Sequence, residues 1–279
     1  MQNIYLIGCD TLKVKIIFIL SFIAVVAIYF LMRTNSITAS NTIALSNMEK
    51  YNSNYLDRYL DYKRQNKNLS NQEIINHVNI GIDYPFYTNI RITEEEGYTT
   101  LVNKYTKLSN NYRPNDLYIV DEEYNPNLIS LRKQAAIMFV TMAEDAKLSG
   151  LTIIIESGFR SYSYQKYLYS KYKDMDGIKK ADTYSARAGH SEHQLGLVID
   201  IRNADLPYEM FEKTKEFIWM QKNAYKYGFI LRYPEGKEKI TGYSFESWHY
   251  RYVGRKISTD MFINYPVLTY DEYYVQFLK

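Results

Sequence analysis

Cysteine is almost missing from this 279-residue chain: Cys9 is its only one, so no disulfide can form within it and stability has to come from a buried core. An excess of one charge is missing too, since 34 Lys and Arg against 31 Asp and Glu leave a net charge of +3, too small for a nucleic-acid partner. Histidine is scarce, at positions 77, 190, 193 and 249 only, which leaves few candidates for an imidazole ligand. Cys9, in Leu6-Ile-Gly-Cys9, precedes the first apolar run, the reverse of the order in a lipoprotein acylation site, and reads as a reduced cytoplasmic thiol.

That apolar run, residues 16–32, carries no charge and is flanked by Lys13, Lys15 and Arg33. Seventeen residues are just long enough to cross a bilayer. No small-x-small cleavage site follows until the Ser and Ala residues near position 40, so the run reads as a retained transmembrane anchor, a cleaved signal peptide being the competing reading. The positive charge before it puts residues 1–15 in the cytoplasm and the rest outside. Residues 33–79 are polar and Asn-rich, with weak helical periodicity around 48–62, and read as a partly disordered stalk in which His77 is solvated, a short helical pair being the alternative. Residues 80–279 then form one domain. The 30 tyrosines stand among much Asn, Lys and Ile and read as compositional bias, with no site assigned to them.

Within that domain, Leu131, Ala135, Met138, Met142 and Ala146 recur at helical spacing up to Gly150. A β-branched strand at 151–156 delivers Ser157-Gly-Phe-Arg160 into a turn before a helix at 162–173. A long helix at 208–227 ends at Gly228 and leads into a strand at 229–232. The class is α+β: a small, mainly antiparallel sheet carrying the site and flanked by helices, behind an N-terminal transmembrane helix.

Two segments carry chemistry: Ser191-Glu-His193-Gln-Leu-Gly-Leu-Val-Ile-Asp200 and Glu246-Ser-Trp-His249. Two imidazoles, a carboxylate and a spare glutamate are the parts of a hydrolytic zinc site, with three ligands, a water at the fourth position and a non-ligating carboxylate to take its proton. His193, Asp200 and His249 can ligate, with Glu246 as the base. A straight strand would separate His193 and Asp200 by roughly 23 Å, whereas donor atoms on one zinc ion lie within about 4 Å of each other. The chain must fold back, and Gly196 permits it before a buried strand of Leu197, Val198, Ile199 and Ile201. Three alternatives stay open: a three-histidine site of His190, His193 and His249, Asp200 as a strand-end cap, and Glu246 as a salt-bridge partner.

These segments resemble the VanY-type D-alanyl-D-alanine carboxypeptidases and their L,D-carboxypeptidase relatives. Leu101-Val-Asn-Lys-Tyr-Thr-Lys-Leu108, Ser157-Gly-Phe-Arg-Ser-Tyr-Ser-Tyr-Gln165, Tyr227-Gly-Phe-Ile-Leu-Arg-Tyr233, Ile240-Thr-Gly242 and Trp248-His-Tyr-Arg-Tyr-Val-Gly254 extend the likeness across residues 80–256. The resemblance implies Zn2+ held by His193, Asp200 and His249, with Glu246 as catalytic base and Arg160 as transition-state arginine. Trp248 would wall the pocket, with Ser191, Gln165 and Arg187 as candidates for binding the substrate's terminal carboxylate or backbone. Ala188, Val198 and Ser247 depart from common family residues, which bears on pocket shape. The implied substrate is the peptidoglycan stem peptide, cut outside the cell membrane by a membrane-anchored monomer, with D,D- and L,D-cleavage both open. Two other classes compete. A serine carboxypeptidase would use Ser-x-x-Lys, which Ser163 to Lys166 and Ser170 to Lys173 fit, but no Ser-x-Asn or Lys-Thr-Gly element follows them. A non-catalytic wall-binding module would not need the Glu246 that is present.

Overall fold

The uncharged run continues into one long helix. In the computed structural model, which describes residues 4–93 and 97–279, α1 (Ile4–Ser46) passes through the run and on beyond Arg33. Phe18 and Phe22 are each 70 % exposed, so this helix is not packed inside the protein, and it is long and apolar enough to cross a membrane. The expected cytoplasmic segment includes residues 1–3, which lie outside the described residues.

Of the two readings of residues 33–79, partial disorder or a short helical pair, the structure takes the helical one. The hydroxyls of Thr34, Thr38 and Thr42 bond back to carbonyls three or four residues earlier, consistent with a helix that continues. Then come α2 (Leu56–Gln65), with Tyr59 buried, and α3 (Asn71–Ile80). Ser70 and Glu73 cap α3 reciprocally: the Ser70 amide donates to the Glu73 carboxylate at 2.8 Å and the Glu73 amide to the Ser70 hydroxyl at 3.3 Å. His77 is buried on α3, its Nε2 lying 3.5 Å from the Glu272 carboxylate, which corrects the expectation that it is solvated. The chain divides into two compact units, Met1–Ile75 and Asn76–Lys279.

The second unit starts with a parallel pair, β1 (Arg91–Thr93) and β2 (Thr106–Leu108), and an antiparallel pair, β3 (Leu117–Ile119) and β4 (Ser130–Arg132). After α4 (Lys133–Leu148) come β5 (Ile154–Ser157), α5 (Tyr162–Asp176), α6 (Ile178–Tyr184), β6 (Val198–Arg202), α7 (Lys215–Asn223), β7 (Phe229–Leu231), α8 (Glu238–Thr241), β8 (His249–Tyr252), α9 (Arg255–Asn264) and α10 (Tyr270–Tyr273). Strands β5, β6, β8 and β7 form, in that order, an antiparallel sheet. The single helix expected over 208–227 is broken. Thr214 is extended, and its hydroxyl accepts from the Phe217 amide at 3.1 Å, so α7 starts afresh there between 3-10 turns at Tyr208–Lys213 and Ala224–Tyr227.

Alternation along β6 and β8 decides what each sheet face carries. Ile199, Ile201, Tyr250 and Tyr252 enter the main core, together with Ala135, Phe139, Met142 and Ala146 of α4. Asp200, His249 and Arg251 fall on the other face. There a smaller core of Leu101, Ile230, Val253, Met261, Tyr270 and Tyr273 adjoins a buried ion cluster. Glu192 Oε1 accepts from Arg232 Nε and Arg251 Nη1, both at 2.9 Å, while Arg232 Nη1 donates to Asp271 at 2.6 Å. Arg251 Nη2 satisfies the carbonyls of Tyr98 and Thr100, each at 2.9 Å. Burial opposes charge on Glu192, but the two guanidiniums outweigh it and hold its carboxyl below the usual range.

Removing one member of such a cluster leaves buried charge uncompensated. Glu192→Ala is expected to destabilise by about 3–5 kcal/mol, seen as a fall of roughly 10 °C in thermal midpoint.

Candidate metal centre

Glu192 opens a 3-10 turn, Glu192–Leu195, that presents His193 and closes at Gly196. Gly196 takes the left-handed conformation at φ 67°, and a Cβ there would meet Leu117 Cδ2 at 3.0 Å, so both conformation and space call for glycine. The reversal then feeds β6, which carries Asp200 back to His193. In the β6–β8 register Asp200 lies directly opposite His249.

His193, Asp200 and His249 are all buried, and each offers a ligand atom within 4.8 Å of the others'. His193 Nδ1 donates to the Gly158 carbonyl at 2.6 Å, which leaves its Nε2 lone pair facing the site. Burial, helped by Arg160, lowers His193 to about 4, so its imidazole is neutral at neutral pH. Asp200 Oδ2 lies 3.2 Å from His193 Nε2, and Asp200 Oδ1 lies 3.1 Å from His249 Nδ1. Glu246 Oε2 stands 3.2 Å from the same His249 nitrogen. Burial alone would lower His249, but the adjoining carboxylates of Asp200 and Glu246 push it up to about 9. Burial pushes the Glu246 carboxyl above its ordinary range, with His249 pulling the other way. Burial also opposes charge on Asp200, yet His193, His249 and Arg160 hold it well below the usual carboxylate range.

Two imidazoles and a carboxylate converging with their lone pairs form a zinc-type donor set, and the two carboxylates already draw a proton onto His249 where a cation would sit, so the residues fit the metal.

Arg160 follows β5 and reaches across the centre. Its Nε donates to the Ser157 hydroxyl at 2.9 Å, Nη1 to Gln165 Oε1 at 3.3 Å, and Nη2 to Asp200 Oδ2 at 2.6 Å, lying also 2.7 Å from His193 Nε2. Gln165, which also donates to the Ala186 carbonyl at 2.7 Å, thereby steadies the guanidinium. A cavity of about 370 Å³ opens over these groups, and Arg160, Gln165, Ser191 and Trp248 all line it. Arg187 is not among the residues lining it; it pairs with Asp182 at 2.8 and 3.0 Å and stacks on Tyr87. His190 is buried away from the cavity, with Nδ1 2.8 Å from the Asn103 carbonyl, and the three-histidine alternative is dropped. Neither Ser163 nor Ser170 lines the cavity.

The sequence reading missed the cavity walls. Tyr172, Tyr184, Tyr208, Tyr233 and Tyr243 line them, with Ser185 and Glu209. Tyr233 packs on His249 with ring centroids 4.7 Å apart, and Tyr208 meets Trp248 edge-on at 5.2 Å. In a chain with 30 tyrosines their abundance hid these five; only the position of Tyr233 at the end of a resembling segment set one of them apart.

Comparison with known proteins agrees with this geometry. The family model described as VanY, D-alanyl-D-alanine carboxypeptidase, matches residues 128–255. The chain is 41 % identical over 195 residues to putative carboxypeptidase YodJ of Bacillus subtilis (strain 168), covering 67 % of this chain and 71 % of that protein. The LdcB LD-carboxypeptidase, whose structure addressed peptidoglycan recognition, is 39 % identical with a TM-score of 0.63, covering 68 % of this chain and 91 % of that one. The vancomycin resistance D,D-pentapeptidase VanY from the VanB-type cassette, solved with Zn(II), is 30 % identical with a TM-score of 0.54, covering 64 % and 99 %.

Because His249 at about 9 carries a proton at pH 8 in the metal-free protein, and ligation needs the Nδ1 lone pair, zinc uptake at that pH is expected to release about one proton. Titration calorimetry in buffers of different ionisation enthalpy measures this; a buffer-independent heat would contradict it.

Proposed function

The chain belongs to the VanY family of D-alanyl-D-alanine carboxypeptidases, and on that premise we propose that it is a zinc-dependent carboxypeptidase removing the C-terminal D-alanine from peptidoglycan stem peptides. The observation that carries this reading is the convergence of His193, Asp200 and His249 beside a buried, non-ligating Glu246. His193 Nε2, Asp200 and His249 Nδ1 would hold the zinc. When bound, zinc supplies Lewis acidity, polarising the scissile carbonyl and lowering the pKa of a water to about 7.

Glu246 takes the proton of the attacking water and passes it to the leaving amine. Its burial suits that task, because a carboxylate whose pKa is held above its ordinary range is a stronger base and takes the water's proton more readily than an exposed one. Arg160 donates hydrogen bonds to the oxyanion developing on the scissile carbonyl, from a guanidinium already fixed by Ser157 and Gln165. Trp248 and the tyrosine walls hold the peptide and exclude water, and Ser191 offers a hydroxyl to its backbone or terminus.

A second reading has its own support. The likeness to the LdcB LD-carboxypeptidase, TM-score 0.63, exceeds that to the VanY D,D-pentapeptidase, 0.54, and favours L,D-cleavage of tetrapeptide stems. We place the catalytic unit outside the cell, on the wall side of a membrane crossed once by α1, because Lys13 and Lys15 precede the apolar run.

Incubation of the zinc-loaded protein with pentapeptide and tetrapeptide stems, followed by mass spectrometry, tests the reading. Loss of one alanine that is blocked by a chelator and indifferent to penicillin is expected, the substrate cleaved naming the D,D or L,D type. Glu246→Gln should lower kcat by about 10²–10⁴-fold while leaving zinc bound. Zinc bound without alanine release from either peptide would overturn the assignment.

A further inference from the structure

Among the described residues, no carboxylate pairs with a buried ammonium that stands behind one wall of the cavity. Lys104 is 1 % exposed. Its Nζ donates to the Asp182 carbonyl and, at 3.4 Å, to the Tyr87 hydroxyl. The rings of Tyr243, Tyr87 and Phe86 surround it, with centroids 4.0, 4.9 and 5.3 Å from Nζ. Gly242 leaves the space the stem needs, because a Cβ there would run into Lys104 Cδ and Cε. Cation–π contacts offset only part of the cost of desolvating an ammonium. Burial accordingly lowers Lys104 to about 8, against the opposing pull of Asp182. A buried charge kept without an ion pair calls for a role.

Tyr243 carries this ammonium against its ring and also lines the cavity. Ser185, Ala186 and Ser191 line the cavity too, and none of them is charged. Of the basic groups that line it, Arg160 is assigned above to the developing oxyanion, and the two imidazoles belong to the metal centre. Asp200 and Glu246 repel any anion placed near them. A peptide with a free terminal carboxylate is therefore best accommodated where neutral donors are backed by a positive charge that forms no ion pair among the described residues, and Lys104 is that charge. Arg187, a second cation acting on Lys104, is paired with Asp182.

We propose that Lys104 is a positioning residue, whose ammonium holds Tyr87 and Tyr243 in place and supplies the positive charge against which the substrate's terminal carboxylate binds. The inference rests on the carboxypeptidase reading above. The groups that face Lys104 are Tyr87, Tyr243, Asp182, Arg187 and Glu246, with His190 packed edge-on against Tyr87. As pH rises through about 8, Lys104 loses its proton, so the carboxylate binds more weakly and KM rises while kcat is held.

The test measures kcat and KM for D-alanine release by the zinc-loaded full chain, in detergent, from about pH 6.5 to about pH 9.5. Lys104→Met, which keeps the stem and loses the charge, is expected to raise KM at neutral pH about ten-fold with kcat within about two-fold. In the unaltered enzyme KM should climb through about pH 8 towards that of Lys104→Met. Lys104→Arg should keep KM low and remove the climb. A KM unchanged in Lys104→Met, or a flat KM profile in the unaltered enzyme, would overturn the inference and leave the carboxypeptidase reading standing. If Lys104→Met fails to fold, the profile of the unaltered enzyme decides alone. No D-alanine release by the unaltered enzyme would overturn the carboxypeptidase reading, and this inference with it.

Discussion

A single carboxylate oxygen, Glu192 Oε1, joins the parts of the catalytic unit that have to stay in register. It accepts from Arg232, just past β7, and from Arg251 of β8, and Arg232 passes the connection to Asp271 of α10. Glu192 is also the residue before His193, so the turn bearing that ligand is tied to the strand bearing His249. Burying four charges is unfavourable unless geometry and further hydrogen bonds compensate. Here Arg251 spends its remaining donors on the Tyr98, Thr100 and Tyr252 carbonyls, and Asn103 donates to Asp271 at 2.7 Å. Such a junction contributes less to net stability than to uniqueness. An apolar replacement could fill the same space, but it would not tie one residue's position to three others.

The same sheet face explains why the centre draws a cation. Asp200 sits opposite His249 by strand register, and Glu246 approaches from the turn before β8, so two buried carboxylates share one imidazole nitrogen. Arg160 supplies a second positive group against Asp200, beside the protonated His249. Two anions answered by imidazoles and one guanidinium, with water largely excluded, form a preorganised field that needs little rearrangement as charge develops on a substrate.

The chemistry of the site was legible in the sequence because it depends on residue types at fixed spacing. Gly196 between His193 and Asp200 implied a reversal, and the structure has a left-handed turn there feeding a buried strand. Helix α4 and the strands around Ile155, Ile199 and Ile230 were legible from periodicity. What escaped was set by long-range contact. Thr214 breaks an expected helix by capping the next one, a choice local propensity does not force. His77 is buried by α3 and its neighbours although its surroundings in sequence are polar. Arg187 looked available, yet Asp182, five residues earlier, claims it through two hydrogen bonds. The tyrosine walls were invisible because composition masked position.

Those walls, more than the metal centre, must decide which stem peptide is cut. The ligands and Glu246 act on an amide that is chemically the same whether the residue before it is D or L. Inverting that residue leaves the carbonyl in place and swings its side chain and the preceding chain toward a different part of the cavity. Large side chains that line the cavity include Tyr172 and Tyr184, in edge contact at 5.3 Å, and Tyr208 beside Trp248. These rings are large, and one rotamer change alters which path is blocked. Discrimination by a clash against the wrong stereoisomer requires no change in the reacting groups. One hydrolytic centre can thus serve either D,D or L,D substrates through the shape of its walls alone.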